Sequence, residues 1–366
     1  RMLNLIGDFA RLNRRMHVKT FTVDNALTIL GGRNIGDEYF DAHAHLNFRD
    51  RDVVAIGPVV AATGALFDDF WNTPLSRPIG ELSTSAPEQD RGPDPAAFRR
   101  AAEALTALHG PLPQPADAAG RISESLARMT HAPASLVRDG PARPEAVADT
   151  DRPQSGAVAL DTIAATASAE LLIESAYLVL DDATLAGVAA LDANGVRVRA
   201  LTNSLASNDV IPNHAAYARR RERILESGVE LHELRPDAAS CRELVLNPDA
   251  CVPPHVFGLH AKTYVLDRRT VYVGSLNLNM RSRYLNAESG LVIESPELAE
   301  QIARAIERNM GPQNSWRVEN DARGGLVWRS TADAPGGAEV REEPGTSWDR
   351  RLRSGFFALW PMEKYL

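Results

Sequence analysis

Two stretches of this sequence carry the same residue types at the same spacing, and those types suit chemistry at a phosphodiester. His17-Val-Lys19-Thr-Phe-Thr-Val-Asp24 runs on to Gly31-Gly-Arg-Asn34, and His260-Ala-Lys262-Thr-Tyr-Val-Leu-Asp267 runs on to Gly274-Ser-Leu-Asn277. Counted from each histidine, Lys stands at +2, Thr at +3, Asp at +7, Gly at +14 and Asn at +17 in both. These are six identities in eighteen positions, where average composition gives about one by chance. A lone His-x-Lys is commonplace on a surface strand. A second copy with matching Gly and Asn outweighs that bland explanation.

The chemistry follows from the side chains. Neutral imidazole is a nucleophile, and imidazolium is an acid near neutral pH. Lysine is a compact cation that holds phosphate oxygens, and asparagine adds neutral donors. Two such sets facing each other would surround one phosphate. One histidine would attack phosphorus, and the other would protonate the leaving alcohol and then deprotonate the incoming one. Lys19, Lys262, Asn34 and Asn277 would offset the developing charge, so the chemistry calls for no metal and no cofactor. Asp24 and Asp267 complete the catalytic triplets His17, Lys19, Asp24 and His260, Lys262, Asp267. Their place at the far turn suits fixing that turn better than touching substrate.

The elements that must position these groups are hairpins. Residues 17–23 and 260–266 are rich in Thr, Val, Phe, Tyr and Leu, as strands are. Asp24-Asn25 and Asp267-Arg268 occupy the turns, with returning strands at Ala26–Leu30 and Thr270–Val273. Strand side chains alternate faces, so each His and its Lys point the same way. Folding about the turn returns residues 31–34 beside His17, and 274–277 beside His260.

The two motifs resemble those of the phospholipase D superfamily, whose signature is HxKxxxxD followed by a GSxN-like turn. The closer resemblance is to bacterial cardiolipin synthases of the C-type branch, carried by Arg15-Met16-His17 through Gly31–Tyr39 and by the ending Leu359-Trp-Pro-Met-Glu363. It implies an α/β fold of two repeats with mixed sheets flanked by helices, the active site lying at their pseudo-twofold interface. It also implies a phosphohistidine intermediate, with His17 as nucleophile and His260 as general acid/base. Lys19, Lys262, Asn34 and Asn277 would bind the substrate phosphate. An acidic residue downstream of each motif would orient a histidine: Glu288 for the second copy, and Asp52, with Asp50 close by, for the first. The sequence departs from the pattern at Val18, where Asn is common, and at Gly32, which replaces the Ser of the turn.

The implied organisation has four parts: residues 1–76 as the end of the first repeat, 77–155 as a Pro/Ala-rich connecting segment, 156–312 as the second repeat, and 313–366 as a tail. Before the second motif come an expected strand from Glu170, a helix, a strand from Val196, a helix at Tyr217–Glu226 and a strand from Val229. Nothing comparable precedes His17, so about half a repeat is expected to be missing there, leaving apolar strand edges uncovered. Pro95–Leu108 reads as helix. Residues 298–309 read as an amphipathic helix packed on the sheet. Trp348–Trp360 mixes three arginines with aromatic residues, which suits a helix on a membrane surface and equally a terminal helix docked with its arginines outward. His43-Ala-His45 is a loop feature rather than a metal pair. Cys241 and Cys251 fit no zinc spacing. Unrelated thiols are slightly favoured over a disulfide, which would imply an oxidising compartment.

Bulk properties bound the function. The 366 residues are 44% hydrophobic and 24% charged, as in a globular protein, and no apolar run is long enough to span a bilayer. Net charge is −8, against the basic footprint of a nonspecific nucleic-acid binder. The expected partners are phospholipids, phosphatidylglycerol and phosphatidylethanolamine foremost, and a membrane surface. The expected place is the periphery of a bacterial inner membrane. Its face stays open because the chain begins at Arg1 rather than Met, so a targeting segment could lie upstream. The leading function is phosphatidyl transfer of the cardiolipin synthase kind. The alternatives are phospholipase D hydrolysis, a nuclease or phosphodiesterase of the same superfamily, and a noncatalytic membrane-binding homologue.

Overall fold

In the computed structural model of the chain, both motif segments fold as hairpins with one shared register. The structure describes residues 13–82, 94–109, 115–142, 151–245, 248–252, 254–330, 339–360 and 363–365. Strand β1 (Thr20–Val23) pairs with β2 (Leu27–Gly31), setting Thr20 opposite Leu30. Strands β10 (Lys262–Leu266) and β11 (Thr270–Gly274) set Thr263 opposite Val273, the same pairing counted from each histidine. The turn residues Asp24, Asn25, Asp267 and Arg268 all have φ near +50°. Two consecutive left-handed residues match the twist of a two-residue hairpin.

Around the second hairpin grows a ten-stranded mixed sheet. Its order is β15-β14-β13-β8-β7-β6-β10-β11-β12-β5. The expected strands and helices upstream of the second motif are present as β6 (Glu170–Ser175), α5 (Asp182–Ala193), β7 (Arg197–Asn203), α6 (Ile211–Glu226) and β8 (Glu230–Leu234). The three strands run parallel, as helical crossovers require. Strand β12 (Ser289–Glu294) continues the sheet beyond β11.

Both flanking segments add to this sheet. Strand β5 (Ala134–Arg138), from the Pro/Ala-rich region, pairs with β12 at one edge. That region also holds α2 (Pro95–His109), α3 (Pro115–Ala127) and the start of α4 (Ser155–Ala164); residues 83–93, 110–114 and 143–150 lie outside the described residues. Strands β13 (Ser315–Asn320), β14 (Leu326–Arg329) and β15 (Glu339–Val340) extend the other edge. Helix α8 (Pro296–Met310) buries Ala299, Ile302, Ala303 and Ile306 in the core on one face, as its spacing predicts. Ser295 caps its start by accepting from the Leu298 N–H. Burial of each isoleucine there contributes about 1.5–3 kcal/mol.

The first copy forms a separate three-stranded sheet, β1-β2-β4, where β4 is Asp52–Ile56. Leu30 on β2, with Val53 and Ala55, packs against Leu291 and Ile293 of the large sheet. Helix α1 (Pro58–Trp71) follows β4. Phe21, Val23, Val54 and Ile56 remain exposed on this sheet.

Candidate active site

Two parallel pairings between the copies build the site. Strand β3 (Leu46–Arg49) runs beside β9 (Val256–Leu259). The His260 N–H donates to the Arg49 carbonyl at 2.7 Å. In the symmetry-related place Met16 bridges Ala287, and the His17 N–H donates to the Ala287 carbonyl at 2.8 Å. Each histidine is thereby delivered beside the residue that follows its partner segment: Asp50 for His260, and Glu288 for His17.

The carboxylates are exchanged between copies. His17 Nδ1 lies 2.7 Å from Glu288 Oε2, and His260 Nδ1 lies 2.6 Å from Asp50 Oδ2. Asp52, the expected partner, instead holds Arg33, with Nε to Oδ2 at 2.6 Å. The correction has a backbone cause. Asp50 lies in the two-residue link between β3 and β4, whereas Asp52 already belongs to β4, pairing with Gly31. Asp50 is clamped from both sides, because Arg49 and Arg51 reach the buried Glu174 at 2.6 and 3.0 Å.

Glu288 is equally fixed. Ser275 Oγ donates to it at 2.6 Å, Ser282 Oγ at 2.7 Å and Asn286 Nδ2 at 3.0 Å. Asp139, at the end of β5, receives the Glu288 backbone N–H at 3.0 Å, the Gly156 N–H at 2.6 Å and the Ser155 hydroxyl at 2.9 Å. The turn serine expected by the motif thus serves as a donor to the carboxylate in the second copy. In the first copy Gly32 stands there, and a Cβ on it would lie 2.6 Å from Asp50 Oδ1 and 3.1 Å from Lys262 Cδ. A serine there would require the Asp50 and Lys262 side chains to give way.

The electrostatics follow from burial and opposed charge. Burial alone would raise the Glu288 carboxyl, but His17 and the Ser275 and Ser282 hydroxyls together hold it below the usual range. Asp50 follows the same logic, with burial outweighed by Lys262 and His260. Burial, reinforced by Lys262, pushes His260 down to about 4 despite Asp50. Burial also brings Lys19 and Lys262 down to about 8. The Lys262 ammonium lies 2.9 and 3.2 Å from the two ring nitrogens of His260. Since Nδ1 is engaged by Asp50, this is a charge close to the ring rather than a second in-line hydrogen bond.

The two hairpin ends meet. Lys19 Nζ donates to the His17 carbonyl at 2.9 Å, and its charge acts on both Lys262 and His260. Asn34 Nδ2 donates to the Tyr39 hydroxyl at 2.7 Å, and that hydroxyl lies 3.4 Å from His260 Nε2. Phe48 and Tyr39 pack on the His260 ring, with centroids 5.4 and 4.9 Å away. Asn277 is buried with its Oδ1 unpaired. An amide flip would turn a donor into the same place. Asp24 and Asp267 do not join this cluster. Asp267 accepts the backbone N–H groups of Ser168, Ala169 and Glu170, tying the hairpin tip to the lead-in of β6. Asp24 is exposed at its turn. Their inclusion with the catalytic residues is corrected accordingly.

Tyr39, Phe48, Glu174, Asp139 and Ser282 were not singled out by sequence reasoning. Tyr39 lay inside the stretch carrying the family resemblance, so a signal existed for it alone. His43 Nδ1 accepts the N–H groups of His45 and Leu46, a turn role ahead of β3. Cys241 and Cys251 form a disulfide, which corrects the preference for separate thiols. A helical turn at Cys241–Leu244 and a 3-10 turn at Pro248–Cys251 bring them to a Cα separation of 5.8 Å. An apolar cavity of about 490 Å³ between α4, α5 and β6 is lined by Tyr264 and Leu266 of the second motif but by none of its His, Lys, Asp or Asn residues.

A paired-histidine site between two hairpin repeats, set in a mixed α/β sheet flanked by helices, defines a class, and comparison with known proteins agrees. The family described as "Cardiolipin synthase, PLD-like domain" matches residues 160–310. Cardiolipin synthase C of Escherichia coli is 35% identical over 370 aligned positions, covering 99% of this chain and 76% of that protein. An uncharacterized protein of Helicobacter pylori is 27% identical over 96% of this chain and 68% of its own length. The crystal structure of phosphatidylserine synthase from Haemophilus influenzae superposes with a TM-score of 0.55 at 15% identity, over 96% of this chain and 71% of that one, a likeness of fold. The chain belongs to the phospholipase D superfamily and is an enzyme of it. Within that superfamily it stands close to the C-type cardiolipin synthases, whose family-level chemistry is phosphatidyl transfer.

Proposed function

We propose that this protein moves a phosphatidyl group from one phospholipid to a headgroup hydroxyl of another, making cardiolipin from phosphatidylglycerol with phosphatidylglycerol or phosphatidylethanolamine as donor. The observation that carries this is the exchange of carboxylates. Each imidazole has its Nδ1 held by a buried acid of the opposite copy, which leaves both Nε2 atoms for the reaction. In the proposed sequence His17 Nε2 attacks phosphorus, the bond to the donor headgroup oxygen breaks, and His260 delivers a proton to that oxygen. The acceptor hydroxyl then gives its proton to His260 as its oxygen attacks phosphorus and the bond to His17 breaks. Lys19, Lys262, Asn34 and Asn277 hold the phosphate oxygens. Burial first and the Lys262 ammonium second push His260 down; a bound phosphodiester anion offsets the ammonium part and moves His260 back towards a useful acid.

Lipid substrates require access from a membrane surface. No helix among the described residues is long and apolar enough to cross one. Helix α9 (Trp348–Phe357) supports surface attachment. It docks on α6, with Arg350 turned inward to the carbonyls of Leu205 and Asn208. Trp348, Leu352 and Phe356, four residues apart, face outward and are 69%, 57% and 57% exposed. An outward apolar row beside a docked polar one suits the membrane interface. Pro361 and Met362 of the family-like ending lie outside the described residues. The Cys241–Cys251 disulfide supports an oxidising, extracytoplasmic face.

The test is transfer in mixed micelles of radiolabelled phosphatidylglycerol and phosphatidylethanolamine, comparing the parent with His17→Ala and His260→Ala. Cardiolipin from the parent, lost in both variants, is the expected result. Phosphatidic acid alone would identify a hydrolase. Silence towards lipid together with cleavage of nucleic acid would favour the nuclease, which the net charge of −8 disfavours.

A further inference from the structure

Besides Asp50 and Glu288, which hold the histidines, a third carboxylate acts on the site and touches neither histidine. Lys262 pairs with Ser175 across β10 and β6, and the Ala176 N–H donates to the Ala261 carbonyl at 3.2 Å. Tyr177 therefore comes level with His260. Its hydroxyl donates to Asp209 Oδ1 at 2.9 Å. The charge of Asp209 acts on both Lys262 and Tyr39, and Tyr177 acts on Tyr39 in turn. Asp209 is open to solvent.

Apart from Asp50 and Glu288, which are engaged by the histidines, the groups gathered here, Lys19, Lys262, Asn34 and Asn277, are cations or amides suited to an anion. A carboxylate beside them repels the phosphodiester unless it engages another part of the substrate. Its neighbours Tyr39 and Tyr177 lie on the His260 side, where the alcohol oxygen would leave and enter. A carboxylate has about four acceptor positions, and the Tyr177 hydroxyl occupies one. Deepening the proposed function and resting on it, we infer that Asp209, oriented by Tyr177, forms the headgroup subsite. It accepts a hydrogen bond from a second donor, hydroxyl or ammonium, on the alcohol that reacts at His260. Asp209 thereby selects headgroup alcohols bearing such a donor over simple alcohols.

The experiment uses the full chain and a phosphatidyl-p-nitrophenol donor, so that every acceptor meets the same intermediate. Glycerol, ethanolamine and 1-propanol compete as acceptors, and the product ratios are read for the parent, Asp209→Asn and Tyr177→Phe. The parent should favour glycerol, ethanolamine or both over 1-propanol. Asp209→Asn should cut that preference about tenfold or more, as loss of a charge-assisted hydrogen bond does, and Tyr177→Phe should shift it the same way by less. Collapse for ethanolamine alone identifies an ammonium subsite, and collapse for glycerol a hydroxyl subsite. A merely structural role lowers all transfers together and leaves the ratios alone. Unchanged ratios in both variants, or no preference in the parent, overturn the inference while the paired-histidine chemistry stands. A parent that forms no product with any acceptor or water overturns that chemistry and this subsite with it.

Discussion

Replacing Asp50 and Asp52 by asparagine, one at a time, separates the two acids that stand two residues apart. The Asp50 side chain is fully buried, sits 2.6 Å from His260 Nδ1 and faces Lys262. When His260 takes a proton during the reaction, this carboxylate stabilises the imidazolium. Loss of a charge-assisted hydrogen bond in a buried setting costs about 2–3 kcal/mol, or roughly 30- to 150-fold in kcat at 1.36 kcal/mol per tenfold. Asp52 pairs with the partly exposed Arg33. A partly screened ion pair is worth about 0–1 kcal/mol, so Asp52→Asn should cost no more than about fivefold. The assay is the initial rate of phosphatidyl transfer, at a temperature where melting curves show both variants folded. A second readout separates positioning from general damage. Asp50 raises the His260 pKa, so its removal moves the His260 limb of the pH profile to lower pH, whereas Asp52→Asn leaves the limb in place. Equal losses in the two variants, or a larger loss for Asp52→Asn, would refute the assignment of Asp50.

Further outcomes follow from the same structure. Lys19 and Lys262 lose their protons near pH 8 in the empty site rather than near 10.5. The charged form binds phosphate, so affinity for a non-reacting phosphodiester analogue should hold just below pH 8 and fall as pH rises through it; a fall starting only near pH 10 would contradict the burial argument. The Cys241–Cys251 disulfide closes a loop with a sequence separation of 10. Chain entropy assigns such a loop roughly 2–3 kcal/mol, so Cys241→Ser should shift the urea midpoint accordingly, and reductant should shift the parent but not the variant. Combined Trp348→Ala and Phe356→Ala should weaken binding to anionic vesicles about tenfold or more, given roughly 1.5–3 kcal/mol per large apolar side chain buried. Unchanged partitioning would remove α9 as the attachment face.

The hairpins were legible because their signals are local. Alternating β-forming residues flank a two-residue turn, and the matching spacing in the two copies fixes the same register. The crossing of acids between copies was not legible. It depends on parallel pairing of β3 with β9 and of Met16 with Ala287, residues more than 200 positions apart in sequence. Asp52 and Asp50 stand two residues apart, and nothing local in the sequence shows that β3 ends at Arg49 and that β4 begins at Asp52. The edge strand β5 was hidden in a Pro- and Ala-rich region, because an edge strand is specified by the neighbour it pairs with. The cysteine pairing was equally hidden, since their spacing brings the sulfurs together only after two short helical turns form.

The most direct test of the two-histidine account is an acid-quench trap of the covalent intermediate, using lipid labelled in the phosphatidyl group and peptide mapping by mass spectrometry. The account predicts a phosphatidyl adduct on His17, absent from His17→Ala and longer-lived in His260→Ala, where deprotonation of the incoming alcohol is lost. An adduct on another residue, or turnover by His17→Ala at the parent rate, would contradict it.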